Sequence, residues 1–191
     1  MSTKAMSQDL FADKRMGFFI YLGVEAIMFS TLFATYIIYT PAPVGPHPSE
    51  IFEMKTTVLA SIFLLSSSGT IFIAEKGLDK RSTKMIIAGI IFTFLLGATF
   101  MYFEMHEFHK FIKEGHLIST SNFLSSYYVL VGLHASHVVF GLGWMIILLI
   151  QLKKQPFQLF KEKHKVFIYY WHFVDIIWVF IISIVYAPYL L

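Results

Sequence analysis

Long apolar runs separated by short polar stretches account for most of the chain. Five of them cover roughly residues 16–39, 54–74, 85–108, 123–152 and 166–191. Each is long enough for a helix to cross the ~30 Å hydrocarbon core of a bilayer, which takes about 20 residues. The pattern predicts an all-α, polytopic membrane bundle of five transmembrane helices with no soluble domain of any size. Residues 1–15 form a polar N-terminal segment and 16–191 a single membrane domain. The first connection carries Pro41, Pro43, Pro46 and Pro48, which oppose helix and favour an extended turn. The connections at 75–84 and 153–165 are rich in lysine. The polar start is not that of a cleavable signal, and the apolar run after it is too long for one. No internal repeat or low-complexity tract interrupts the pattern.

Composition sharpens this picture. Charged residues make up 14% and hydrophobic ones 57%, whereas soluble folds are about a quarter charged. The 21 phenylalanines suit a lipid-facing surface. The absence of cysteine excludes disulfides, thiolate metal sites and cysteine nucleophiles. The basic residues are spread over short loops rather than one patch, so nucleic acid is not an expected partner. Their distribution instead sets orientation. Twelve of fifteen lie at the N-terminus, at Lys76, Lys80, Arg81 and Lys84, and between Lys153 and Lys165. Only Lys55, Lys110 and Lys113 fall on the other side. The expectation is a cytoplasmic N-terminus and an external C-terminus.

Ionisable groups at membrane depth are costly and point to function by default. Glu25 lies well inside the first run, with no basic neighbour in sequence. Two readings stand for it: proton handling or contact with a lipid or partner subunit, and a neutral acid hydrogen-bonded to a neighbouring helix. Glu104, His106, Glu107 and His109 close the third run at the external face, where a solvated helix end is expected, with burial left open for Glu104, a turn deeper than His109. A His-Glu-x-x-His zinc motif fails because Lys110 stands four residues after His106, and paired Glu-x-x-His motifs are absent. No metal site is expected.

His134 and His137 in Gly132-Leu-His134-Ala-Ser136-His137-Val are three residues apart and share a helix face. Gly132 and Ser136 form a small-x-x-x-small pair that permits close helix approach. Haem ligation would need histidines on two helices at matching depths, and His172 is the other deep histidine, so interhelical hydrogen bonding is expected. In Trp171-His172-Phe-Val-Asp175-Ile-Ile-Trp178, the residues Trp171, Asp175 and Trp178 line one face, with His172 three residues from Asp175. A hydrogen bond to Asp175 from His172 or an indole would offset its burial, making a structural polar cluster.

These last two motifs together resemble subunit III of the haem–copper terminal oxidases. Gly132-Leu-His134-Ala-Ser-His137-Val is similar to that family's Gly-x-His-x-x-His-Val pattern, and Trp171-His172-Phe-Val-Asp175 with Trp178 to its Trp-His-Phe-x-Asp-x-x-Trp signature. Gln151 and Leu152 fit as well. Phe19-Ile-Tyr-Leu-Gly-Val-Glu25 resembles the family helix that bears a carbodiimide-reactive glutamate, which maps onto Glu25. Glu107, in Glu104-Met-His-Glu107-Phe, falls where the family has an acid–aromatic pair. The resemblance spans nearly the whole chain from about Met16. It resembles bacterial five-helix forms, found in both cytochrome c oxidases and quinol oxidases, which begin at what would be the third helix of seven-helix members.

The resemblance implies a non-redox subunit of a proton-translocating cytochrome c oxidase, with a quinol oxidase as the alternative. Haem and copper would sit in the partner subunit I, none on this chain. The chain would pack against subunit I, alongside subunit II and other small oxidase subunits, in a bacterial plasma membrane. It would hold phospholipid in a cleft and support proton uptake during turnover. Glu25 would face the lipid cleft or subunit I; His134, His137, His172 and Asp175 would be internal hydrogen-bonding residues, and none catalytic. Two readings from other classes are a stand-alone proton or cation transporter and a haem-carrying electron carrier using His134, His137 and His172. The former lacks a broken-helix pair or inverted repeat.

Overall fold

In a computed structural model, residues 3–40 and 54–189 are described. They form five helices: α1 Thr3–Ile38, α2 Met54–Asp79, α3 Thr83–Lys113, α4 Asn122–Lys154 and α5 Phe157–Ile181. All five carry a stretch long and apolar enough to cross a membrane. The expected proline connection falls in 41–53, outside the described residues.

The helices outrun the apolar runs. From Thr3 to Arg15 no Gly or Pro interrupts the chain, so the polar N-terminal segment continues into the span as one helix. The lysine-rich stretch at 153–165 is likewise mostly helical, and only Gln155 and Pro156 separate α4 from α5. Lysine is a good helix former with an apolar stem, so it extends a helix out of hydrocarbon at little cost. Pro156, at φ −56°, sits where a helix start needs no N–H donor. Between α2 and α3, Arg81 takes the left-handed conformation (φ 51°), and Ser82 N–H donates to the Gly77 carbonyl at 2.9 Å. This is the capping arrangement that usually employs glycine.

Helices α2 to α5 close a four-helix ring in chain order, with α2 meeting α5, and α1 docks outside it in the groove between α4 and α5. The α2–α3 pairing is the most intimate. A Cβ on Gly89 would lie 2.5 Å from the Ala74 nitrogen, and one on Gly77 would lie 2.8 Å from the Ile86 nitrogen. Thr70 and Thr93 share a 2.8 Å hydroxyl hydrogen bond across that pair. Small residues are what let membrane helices approach so closely.

At its end α5 widens into a π turn, Ile182–Tyr186, followed by a 3-10 turn, Ala187–Tyr189. The π turn aims Val185 and Tyr186 inward, where both are fully buried. The Tyr186 hydroxyl meets that of Tyr127 at 2.9 Å. The Tyr36 hydroxyl donates to the Val185 carbonyl at 3.4 Å, tying α1 to the same turn.

Candidate functional site

The polar residues on α5 are answered by hydroxyls on α2. Trp171 Nε1–H donates to Ser67 Oγ at 2.8 Å, and Trp178 Nε1–H donates to Ser61 Oγ at 3.1 Å. Ser68 Oγ–H donates to Asp175 Oδ2 and lies 3.3 Å from His172 Nδ1. His172 and Asp175 approach within 4.0 Å, with Ser68 between them. The hydrogen-bond partner of Asp175 is thus a serine of another helix, where the sequence led to the expectation of His172 or an indole. Ser61, Ser67 and Ser68 were not singled out in the sequence. The signal was a row of hydroxyls inside an apolar span, Ser61 and Ser66-Ser-Ser68.

Trp171 also accounts for two glycines. A Cβ on Gly141 of α4 would lie 2.6 Å from its ring, and one on Gly97 of α3 would lie 3.1 Å from it. One indole is thus seated between glycines of two helices and bonded to a third. Gly132 and Ser136 do not play this part within the chain. A Cβ at Gly132 would meet nothing within 4 Å, while Ser136 is exposed and donates to its own helix at the Leu133 carbonyl. The small pair faces outward because the face turned toward α3 and α5 carries Leu130, His134, Val138 and Gly141 instead.

His134 and His137 share an approximate helix face but go to different neighbours. His134 is buried against Trp178, stacked at 5.1 Å between ring centroids, with Phe100 edge-on at 6.0 Å. Its two ring nitrogens have no hydrogen-bond partner among the described residues. His137 turns toward α1. Its Nδ1 lies 2.9 Å from the Leu133 carbonyl and its Nε2 lies 3.2 Å from Glu25 Oε2. A carbonyl only accepts, so Nδ1 carries a hydrogen. One further proton then lies between Nε2 and Oε2, and the pair is neutral overall whichever atom holds it. Neutrality is what membrane depth demands. Tyr21, one turn earlier on α1, lies within electrostatic reach of Glu25. Tyr170 O–H donates to the His137 carbonyl at 2.8 Å. Beside the pair, Tyr21, Ser136, His137, Phe140 and Tyr170 line an open groove of about 220 Å³.

Glu107 does not belong to a solvated helix end, and Glu104 takes the buried place left open for it. Glu104 and Glu107 are 1% and 4% exposed, because α3 continues to Lys113 and turns both inward. His106 and His109 on the same turns are exposed, and Lys110 pairs with Glu114 at 3.8 Å nearer the tip. The two carboxyl groups lie within electrostatic reach of each other and of the Tyr127–Tyr186 pair. His164, expected in a loop, is fully buried between Phe160 and Phe167 on the first turns of α5. Among the described residues, no three His, Asp or Glu side chains cluster where a metal ion could sit.

The basic rim gathers at one end of the bundle. Lys161 Nζ lies 3.0 Å from Asp79 Oδ1, bridging the start of α5 to the end of α2. Lys14 and Arg15 of α1 line a notch with Lys163 and Glu162 of α5.

Residues 4–188 match the family described as cytochrome c oxidase subunit III. Cytochrome c oxidase subunit 3 of Bacillus sp. (strain PS3) is 40% identical over 176 residues, which is 91% of this chain and 85% of the relative. Quinol oxidase subunit 3 of Bacillus subtilis (strain 168) is 41% identical over 174 residues, 90% of this chain and 85% of the relative. Cytochrome bo(3) ubiquinol oxidase subunit 3 of Pseudomonas aeruginosa is 37% identical over 172 residues, 89% and 82% of the respective chains.

Proposed function

Since the chain belongs to the cytochrome c oxidase subunit III family, we propose that it is the non-redox subunit of a cytochrome c-oxidising terminal oxidase, supporting proton uptake and binding phospholipid. The chain is subunit III of a haem–copper oxidase, a multi-pass protein of a bacterial plasma membrane. The observation that carries this proposal is the Glu25–His137 pair. It is a proton-sharing acid and base at membrane depth, 15% and 11% exposed, beside an open groove. Such a pair can hold a proton without placing net charge in hydrocarbon. The groove between aromatic walls suits an acyl chain.

Haem and copper belong to subunit I in this reading. The divergence of His134, His137 and His172 supports it: one is enclosed by rings, one is engaged at both nitrogens, and one lies on the α2 side. Partners are subunit I first, then subunit II and the other small subunits. The clustered lysines support a cytoplasmic N-terminus, since cytoplasmic loops carry the excess of basic residues.

Quinol is the second reading of the donor, because relatives bearing either name are about equally similar to this chain. The decisive experiment isolates the tagged chain gently with its companions and assays oxidation of cytochrome c and of quinol. In the same preparation, Glu25→Ala should leave assembly intact and hasten the loss of activity during turnover. Equal inactivation rates in variant and parent would refute the role given to Glu25. Isolation of the chain alone, colourless and moving protons in liposomes, would favour the transporter instead.

A further inference from the structure

We propose that Tyr21 is the proton gate of the Glu25–His137 pair, its hydroxyl carrying protons between Glu25 and the basic end of the bundle. The inference rests on the proton-handling role given above to that pair, and adds the residue through which the pair fills and empties.

The bonding of the pair leaves it one way out. His137 Nδ1 carries a hydrogen committed to the Leu133 carbonyl at 2.9 Å, and a carbonyl only accepts. Its Nε2 faces Glu25 Oε2 at 3.2 Å. A proton that reaches the imidazole therefore has nowhere to go but back to the carboxyl. Exchange with the surroundings falls to the second carboxyl oxygen, Oε1. The pair is a reservoir at the end of a path, not a link within one.

Three hydroxyls line the groove beside the pair, those of Tyr21, Ser136 and Tyr170. Two of them give their hydrogen to backbone carbonyls, Ser136 to Leu133 at 2.6 Å and Tyr170 to His137 at 2.8 Å. A hydroxyl passes a proton on only when its own hydrogen points at the acceptor, so neither serves. Tyr21 is tied to no such carbonyl among the described residues, and it lies within reach of the Glu25 carboxyl.

Position on the helix agrees. Tyr21 stands four residues before Glu25, one turn nearer the basic rim and on the same face of α1. Helical side chains lean toward the N-terminus of their helix, so the Glu25 carboxyl extends over the turn that bears Tyr21. Six residues separate Tyr21 from Arg15, about 9 Å along the helix, against about 15 Å for Glu25. Tyr21 is 41% exposed, whereas the Glu25 side chain is 15% exposed, so the phenol is the member that water can reach. The titratable groups facing Glu25 among the described residues are Tyr21 on its own helix, His137 on α4 and Tyr170 on α5.

The transfer balances at each atom. When the pair has given up its proton, Glu25 is a carboxylate beside a neutral imidazole. The Tyr21 O–H bond then breaks as its hydrogen bonds to Oε1. The phenol oxygen takes a proton from a water molecule at the mouth of the groove, leaving hydroxide there. Release runs through the same bonds in reverse, and the refilled pair is again neutral.

The test uses the intact oxidase complex and follows the loss of activity during turnover. Tyr21→Phe keeps the ring that packs 6.0 Å from Phe18 and removes only the hydroxyl. It should inactivate as fast as Glu25→Ala, and the double variant no faster than either, because both cut one path. Tyr21→His restores a group that both accepts and donates, and should return the parent rate. The gap between Tyr21→Phe and the parent should widen as pH rises, since a carboxylate without its relay depends on a shrinking supply of hydronium. A pH-independent gap would overturn the relay. So would failure of the Phe and His variants alike, or a double variant faster than Glu25→Ala alone, because Tyr21 would then act through packing. If Glu25→Ala hastens inactivation and Tyr21→Phe does not, the gate is wrong while the role of the pair stands. If Glu25→Ala is itself without effect, the proton role fails and the gate with it.

Discussion

Trp171 donates its indole N–H to Ser67 across the α2–α5 seam at 2.8 Å while its ring occupies the space vacated by the missing side chain of Gly141. Hydrogen bond and packing thus converge on one residue, and three helices are positioned by it. In a bilayer, where lipid is as apolar as leucine, helix association depends on this kind of close packing and interhelical bonding.

Ser67→Ala should weaken the bundle by about 0.6 kcal/mol, and by no more than roughly 1.7, the range for interhelical hydrogen bonds in membranes. Thermal unfolding followed by tryptophan emission is the check. An unaltered midpoint for both Ser67→Ala and Ser61→Ala would show that the indole bonds carry no weight.

Gly141→Ala places a methyl 2.6 Å from the Trp171 ring and should cost about 1–3 kcal/mol through overpacking. Gly132→Ala, facing open space, should stay within about 0.5 kcal/mol of the parent. Trp171→Leu should relieve the Gly141→Ala penalty, so a double-mutant cycle on melting midpoints must give a non-zero coupling. Simple additivity would mean that the ring shifts freely.

Glu25 should be the membrane carboxyl that a hydrophobic carbodiimide modifies, because it borders the open groove while Glu104 is sealed in. Glu25→Gln should abolish incorporation of the reagent and Glu104→Gln should leave it unchanged. Mass spectrometry of the labelled chain would read this directly, and label on Glu104 would contradict the geometry.

The lack of native cysteine makes topology testable with single introduced thiols. Glu114→Cys should react with an impermeant maleimide added to intact cells, whereas Lys154→Cys should react only after lysis. The reverse pattern would invert the assigned orientation.

Lys161→Ala should change stability by less than about 0.5 kcal/mol despite the 3.0 Å bridge, because Asp79 is 72% exposed and such pairs contribute little. A larger loss on thermal melting would mean that the rim is more than a solvated fringe.

Much of this was legible in the sequence because the bilayer imposes a length rule on apolar runs. The five spans, and Asp175 and Glu25 as buried polar positions, follow from residue type and depth alone. What could not be read is partner choice across helices. Nothing in the spacing of His134 and His137 says that one stacks on Trp178 while the other turns to Glu25, since a separation of three residues leaves about 60° between them. Glu107 and His164 were misplaced for a related reason. Their neighbours are charged, but the helices continue past the hydrophobic runs, and each side chain points inward from a polar stretch. Gly132 and Ser136 fit the spacing of a contact pair, yet Gly97 and Gly141, on different helices, are the ones that seat a ring.

The π turn at Ile182–Tyr186 makes the end of this chain sensitive to length as well as to composition. One residue more per turn than in an α-helix delays the winding, so that Tyr186 arrives opposite Tyr127. Deleting Ser183, an exposed residue, would let an ordinary α-helical turn replace the wider one with Tyr186 still opposite Tyr127, because the wider turn is what accommodates one extra residue. The end of α5 therefore has slack for the loss of one residue at this point, whereas an insertion, which the turn has already absorbed once, would swing Tyr186 by about 100° away from Tyr127.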